Sequence, residues 1–153
     1  MLLWRISNHA DLNGEGGLLA GGRWHHRGRR IVYLAESPAG ALLEGLVHLE
    51  LGYTRLPPRY TLLRIAAPPE MALPECSVVP GVGLDRTRAA GDAWLAAASS
   101  ALLRVPSVLV PCTWNTLLNP RHPDAGQLRV LEVLTFPLDH RLDARGRARR
   151  RRG

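Results

Sequence analysis

Three side chains of complementary chemistry fall within one short stretch of the chain. Arg23 directly follows Gly21-Gly22, Tyr33 comes next, and Glu44 follows it, with Ser107 and Asn119 far downstream. An arginine beside paired glycines can present its planar fork to a pyrophosphate or a carboxamide while the backbone stays close to the ligand. A neighbouring phenol can stack on a flat ring. One carboxylate is enough to stabilise the oxocarbenium ion that forms when a good leaving group such as nicotinamide departs, or to activate the attacking nucleophile, so a second, glycosidase-style carboxylate is not obligatory. The set therefore has the chemistry to bind and cleave a dinucleotide. Spacing alone does not distinguish it from an arginine, a tyrosine and a glutamate at the surface or the core edge.

The elements that must hold these groups are readable in part. Leu2 to Ile6 is a short strand, followed by a long glycine-rich loop from Ser7 to Gly22 that ends in Gly21-Gly22-Arg23-Trp24 and lets backbone approach something closely. Ile31 to Ala35 reads as a buried strand carrying Tyr33. Ser37-Pro38 then supplies a cap and a proline at the first helical position for a helix from about Ala39 to Leu51. On that helix Leu42, Leu46 and Leu49 form the expected core stripe, while Ala41, Glu44, Gly45 and His48 lie on another side. Tyr60 to Ala66 alternates as a strand after the Pro57-Pro58 break. Beyond it the pattern predicts an alanine-rich helix over Ala93–Leu103, a short strand over Val105–Pro111 carrying Ser107, a turn-rich loop over Asn115–Pro123 and a last strand over Gln127–Phe136.

Composition narrows the class. At 153 residues with 46% apolar and 22% charged side chains, the chain has the size and core-forming content of one domain. The formal charge of +7 is concentrated at the end: Arg145, Arg147, Arg149, Arg150, Arg151 and Arg152 account for six of it and leave +1 for residues 1 to 144. A domain over residues 1–142 and a disordered Arg-rich tail over 143–153 are expected. No apolar run approaches the roughly 20 residues of a membrane helix, and the Met1-Leu2-Leu3-Trp4-Arg5 start lacks the features of a signal peptide, so a cytoplasmic protein with no membrane contact is expected. Cys76 and Cys112 lack CxxC spacing, which argues against a disulfide framework or a Cys-based zinc site. Glu44 and His48, with His25 and His26, could be drawn as a metal site, but three ligands with orienting partners are not visible and no metal is expected. Trp94 and Trp114 read as core or interface anchors, Asp85-Arg86-Thr87-Arg88 as a solvated charge cluster, and Arg55 and Arg59 as surface cover.

An ordered set of motifs adds to this. Gly21-Gly22-Arg23-Trp24, Tyr33-Leu34-Ala35-Glu36-Ser37-Pro38, Ala41-Leu42-Leu43-Glu44 with His48, Val105-Pro106-Ser107, Asn115, Asn119-Pro120-Arg121-His122-Pro123 and Asp139-His140-Arg141-Leu142 resemble the RES domain in the same order. That family is named for an arginine, a glutamate and a serine. The resemblance implies a single α/β (α+β) domain like the ADP-ribosyltransferase fold, with mixed, mostly antiparallel sheets and flanking helices. It implies a growth-inhibiting toxin of a bacterial toxin-antitoxin system that takes NAD as substrate and cleaves the nicotinamide–ribose bond, as a glycohydrolase or phosphorylase or, alternatively, as an ADP-ribosyltransferase acting on a specific protein. Carried over, Arg5 and Arg23 are the NAD-binding arginines, Tyr33 the ring partner at the nicotinamide side, Glu44 the catalytic carboxylate, Ser107 an NAD contact and Asn119 the pocket edge. The family usually has Asn after Gly-Arg-Trp, where this chain has His25-His26. It further implies an Xre-type helix-turn-helix antitoxin that occludes the NAD pocket and supplies the DNA contact, and a homodimer within the complex. A nucleic-acid-binding module driven by the arginine tail is the alternative of another class, and deleting residues 145–153 separates the two, because an enzyme keeps its turnover and a tail-driven binder loses its affinity.

Overall fold

The computed structural model describes residues 1–52, 56–78 and 81–142. Arg55 and the arginine tail lie outside them. Alternation of apolar side chains sets the strands: Leu2–Ile6 (β1), Val32–Ala35 (β2), Arg59–Ala66 (β3), Leu102–Pro106 (β4), Trp114–Leu118 (β5) and Arg129–Pro137 (β6). They form one six-stranded sheet in the order β4-β5-β2-β1-β3-β6, with every neighbouring pair antiparallel. β1 sits in the middle, in register with β3 from Leu2 opposite Ala66 to Ile6 opposite Leu62.

Successive residues of a strand face opposite sides, and each side has its own core. Leu3, Val32, Leu34, Leu63, Ile65, Leu102 and Leu118 are buried together on one side. Trp24, Ile31, Trp94, Leu103, Val105 and Leu117 are buried on the other, with Tyr33 packed against them.

Among the described residues three α-helices flank the sheet. A single turn, Gly16–Leu19 (α1), interrupts the glycine-rich loop. Pro38–Gly52 (α2) starts where Ser37-Pro38 places it: the Ser37 hydroxyl accepts a hydrogen bond from the Gly40 N–H at 3.0 Å. Its contact side differs from the expected leucine stripe. Ala41 is buried with Ala35 and Leu62, and Gly45 rests on Ile6, whereas Leu42 and Leu46 are half-buried and Leu43 is exposed. The small residues let the helix approach the sheet closely, and the side bearing Glu44 is turned inward.

The third helix, Leu84–Ala97 (α3), starts well before the expected Ala93. It ends at Ala98, a left-handed residue (φ 45°) whose N–H caps Trp94 O, and the apolar run that follows is strand β4 rather than helix. Asp85-Arg86-Thr87-Arg88 is its first turn: Asp85 and Arg86 are exposed, as a solvated cluster requires, but Thr87 is buried and donates to Arg23 O at 2.7 Å, and Arg88 Nε donates to Gly22 O at 2.9 Å. Asn115 to Leu118, expected as loop, is strand β5, pairing with β2 on one side and β4 on the other. Among the described residues no helix is long and apolar enough to cross a membrane.

Candidate active site

The glycine-rich loop, the outer ends of β1 and β3, β2 and α2 enclose a cleft of about 480 Å³. Its walls include Arg5 and Tyr33 from the strands, Gly21 and Gly22 from the loop, Glu44 and His48 from α2, and Arg59 and Asn115. That size is within the range of small-ligand and cofactor sites.

Tyr33 is fixed by two neighbours, one of them itself anchored. Its hydroxyl accepts from the Trp24 N–H at 2.9 Å and lies 2.9 Å from His25 Nδ1, while His25 Nε2 lies 3.1 Å from Ala20 O. A carbonyl can only accept, so Nε2 carries the imidazole proton and Nδ1 receives the phenolic one. Burial pushes the Tyr33 phenol up to about 12 and pulls the His25 imidazolium below its ordinary value, which keeps both groups neutral near pH 7. The hydroxyl is thus committed to the protein, and the ring is what remains for a ligand. Gly22 accounts for this close approach: a Cβ there would lie 2.6 Å from the Tyr33 hydroxyl.

Glu44 is held as firmly. Its Oε1 accepts from Asn115 Nδ2 at 2.7 Å and from the Ser107 hydroxyl at 3.2 Å. Ser107 Oγ itself accepts from the Leu109 and Val110 amides at 3.2 Å each, so its own proton is directed to Glu44. No donor among the described residues reaches Oε2, which is left for chemistry in the cleft.

The arginines divide. Arg5 lines the cleft and donates to Asp11 O at 3.0 Å, a carbonyl rather than a carboxylate; burial lowers its pKa, partly offset by the Asp11 charge. Arg59, assigned only to surface cover by the sequence, lines the mouth and makes a long 3.4 Å contact to Thr135 O. Arg23 does not line the cleft. Its guanidinium donates to Val82 O at 2.9 Å, and its Nε is buried without a partner. Asn119 is also placed elsewhere: 1% exposed, it donates to Leu95 O at 3.3 Å and accepts from the Arg121 N–H, which ties a core turn together. The structure therefore brings Arg5, Tyr33, Glu44 and Ser107 to one place and leaves Arg23 and Asn119 in supporting positions. Asn115, Arg59 and the orienting role of His25 were not legible as site features.

The pairs drawn as a possible metal site separate as well. His26 pairs with Asp92 at 2.8 Å and fastens the loop to α3, and His25 is spent on Tyr33. Among the described residues no three His, Cys, Asp or Glu side chains converge as a metal site.

A sequence-family model for the RES domain matches residues 2–139, which include every residue of the cleft. The chain belongs to the RES domain family. The RES chain is 46% identical to a Toxin Res of Pseudomonas putida over 93% of its own length and 99% of that protein. It is 39% identical to the Prs ADP-ribosylating toxin of a Sphingobium species, covering 91% of this chain and 94% of that one. With relatives so named aligned over nearly its whole length, it groups with the toxins of the family. The RES fold is shared with a chain of the Mycobacterium tuberculosis MbcT–MbcA toxin–antitoxin complex, at a TM-score of 0.70 and 19% identity over 89% of this chain and 84% of that one.

Proposed function

We propose that this RES protein is the toxin of a bacterial toxin-antitoxin pair, and that it inhibits growth in the cytoplasm by consuming NAD through cleavage of the nicotinamide–ribose bond. The observation that carries this reading is the Glu44 carboxylate. It is oriented by Asn115 and Ser107 through one oxygen, bare on the other, and set in the wall of a cleft that also holds Tyr33 and two arginines without carboxylate partners among the described residues.

In this reading Arg5 and Arg59 meet the pyrophosphate, where cationic forks bind charged oxygens most strongly. The Tyr33 ring, locked by Trp24 and His25, packs against the nicotinamide. Positive charge grows on the ribose as the nicotinamide leaves, and a fixed carboxylate aimed at that charge stabilises the transition state without having to reorganise. Glu44 Oε2 is the group so placed. Ser107 and Asn115 act through Glu44 by holding its other oxygen.

Water or phosphate as acceptor makes the protein a glycohydrolase or a phosphorylase. ADP-ribosylation of a protein is the second reading, favoured by the 39% identical relative named as an ADP-ribosylating toxin. A cognate antitoxin, of the Xre helix-turn-helix kind, covers the cleft and carries the DNA contact, and the toxin sits as a homodimer within that complex; kinship with named toxins and the fold shared with a toxin–antitoxin structure support the antitoxin. Incubating purified protein with NAD and following free nicotinamide tests the proposal: release is expected, and intact NAD would reject it.

A further inference from the structure

A second cavity of about 640 Å³ lies across the Glu44–Asn115 pair from the first, and both residues line both spaces. The two have opposite electrostatics. In the first, Arg5 and Arg59 face a single lining carboxylate, Glu44. In the second, the lining charges are Glu36, Glu44 and Arg104.

Arg104 is not free to receive an anion. Its Nε and one terminal nitrogen bind the two oxygens of Glu36 at 2.5 and 3.0 Å, and its other terminal nitrogen binds Glu75 at 2.7 Å. Its flat face lies 4.6 Å from the Trp114 ring. The backbone beside it is tied as well, with Arg104 N–H to Pro74 O and Cys76 N–H to Arg104 O, both at 2.8 Å, which fixes Glu75 next to the guanidinium. Two carboxylates thus fully engage the one cation, and Glu44 lines the same cavity as a further carboxylate.

We propose that this second cavity is the acceptor side of the reaction, and that it admits a neutral or cationic nucleophile and turns phosphate away. This rests on the NAD-cleaving reading above. The sugar occupies the first space and the acceptor reaches the same Glu44 from the second. The bond from ribose C1′ to the nicotinamide nitrogen breaks with its electron pair going to the pyridine ring. A lone pair on the acceptor's oxygen or nitrogen forms the new bond to C1′, and the acceptor's proton passes to Glu44 and on to solvent. NAD and the acceptor yield nicotinamide, the ADP-ribosyl adduct and one proton. An amine or guanidinium is drawn to the acidic wall, and a phosphate dianion is repelled by it.

The test uses the purified full-length protein, NAD and, at constant ionic strength, either inorganic phosphate or agmatine as a guanidinium probe, with products resolved by mass. The expected result is ADP-ribose and an agmatine adduct, with no phosphorylated sugar product and no acceleration by phosphate. In the Glu36→Gln/Glu75→Gln double variant, which releases Arg104, the agmatine adduct falls about tenfold relative to ADP-ribose and a phosphorylated product appears, because the acidic wall that selects by charge is gone. Glu36 and Glu75 are exposed, so the fold is retained. Wild-type turnover accelerated by phosphate, with a phosphorylated ADP-ribose as main product, would overturn the proposal, as would a double variant with unchanged product partition. Absence of nicotinamide release under every condition would overturn the NAD reading itself, and so is distinguishable from failure of the charge selection.

Discussion

The Tyr33 hydroxyl gives its proton to His25 Nδ1 across 2.9 Å, and His25 can accept it only while the imidazole is neutral. Burial holds the His25 pKa below its ordinary 6.5, with the Ala20 carbonyl and the Asp92 charge working against the shift and the Arg88 charge adding to it. Below pH 6.5 the unfolded chain therefore binds a proton at this position that the folded chain resists. The contribution of His25 to stability is complete above 6.5 and is lost progressively as pH falls from there toward the folded-state value. Thermal melts of wild type and His25→Asn between pH 5 and 8 check this. Wild type is expected to lose more stability than the variant on acidification, and parallel curves would contradict it.

Asn115 and Ser107 position Glu44, each through a hydrogen bond to its Oε1. Hydrogen bonds to a charged group are worth about 1.5–3 kcal/mol, so Asn115→Ala should lower kcat for nicotinamide release by about 10- to 100-fold with KM little changed. Ser107→Ala should cost less, because its contact to Glu44 is longer, 3.2 against 2.7 Å. Steady-state kinetics that place the loss in KM instead would assign these residues to substrate binding.

How much of this was legible differs between elements. β1, β2, β3 and the start of α2 follow from period-two alternation and from Ser37-Pro38, because one strong local signal decides each. The part of helix α3 before Ala93 escaped because its buried residues there are Thr87 and Gly91, spaced for a helix with Trp94 but not apolar in kind. Gly91 is there because Trp24 backbone occupies the space a side chain would take, a reason that exists only in three dimensions. Strand β5 escaped because Thr116 is a buried polar residue, and with it went the role of Asn115. The Arg5, Tyr33, Glu44 and Ser107 grouping came from residue types and the resemblance. Which arginine lines the cleft depended on where Val82 O lies, and no local pattern encodes that.

Arg5 and Arg59 differ from Arg23 in consequence. Arg5→Ala and Arg59→Ala should each raise KM for NAD by about tenfold, the loss of one charge-assisted contact, and the effect should shrink as salt is added. Kinetics at low and high ionic strength check both parts. A KM unchanged in both variants would place the pyrophosphate elsewhere.

Asn119 should act on stability. Asn119→Ala leaves Leu95 O and the Arg121 N–H without their partner in a buried turn, so a loss of about 1–3 kcal/mol is expected, with turnover per folded molecule retained. Denaturant unfolding together with active-site-normalised rates measures this. A stable but inactive variant would return Asn119 to the pocket edge.

Cleavage of NAD, as proposed, rests on the Glu44 carboxylate. The direct measurement is nicotinamide release by wild type and Glu44→Gln at matched, melt-verified folding. Replacing the carboxylate by its neutral isostere should lower the rate by at least about 100-fold, the usual scale for removing one preorganised electrostatic group. A Glu44→Gln protein that releases nicotinamide at the wild-type rate would contradict the account.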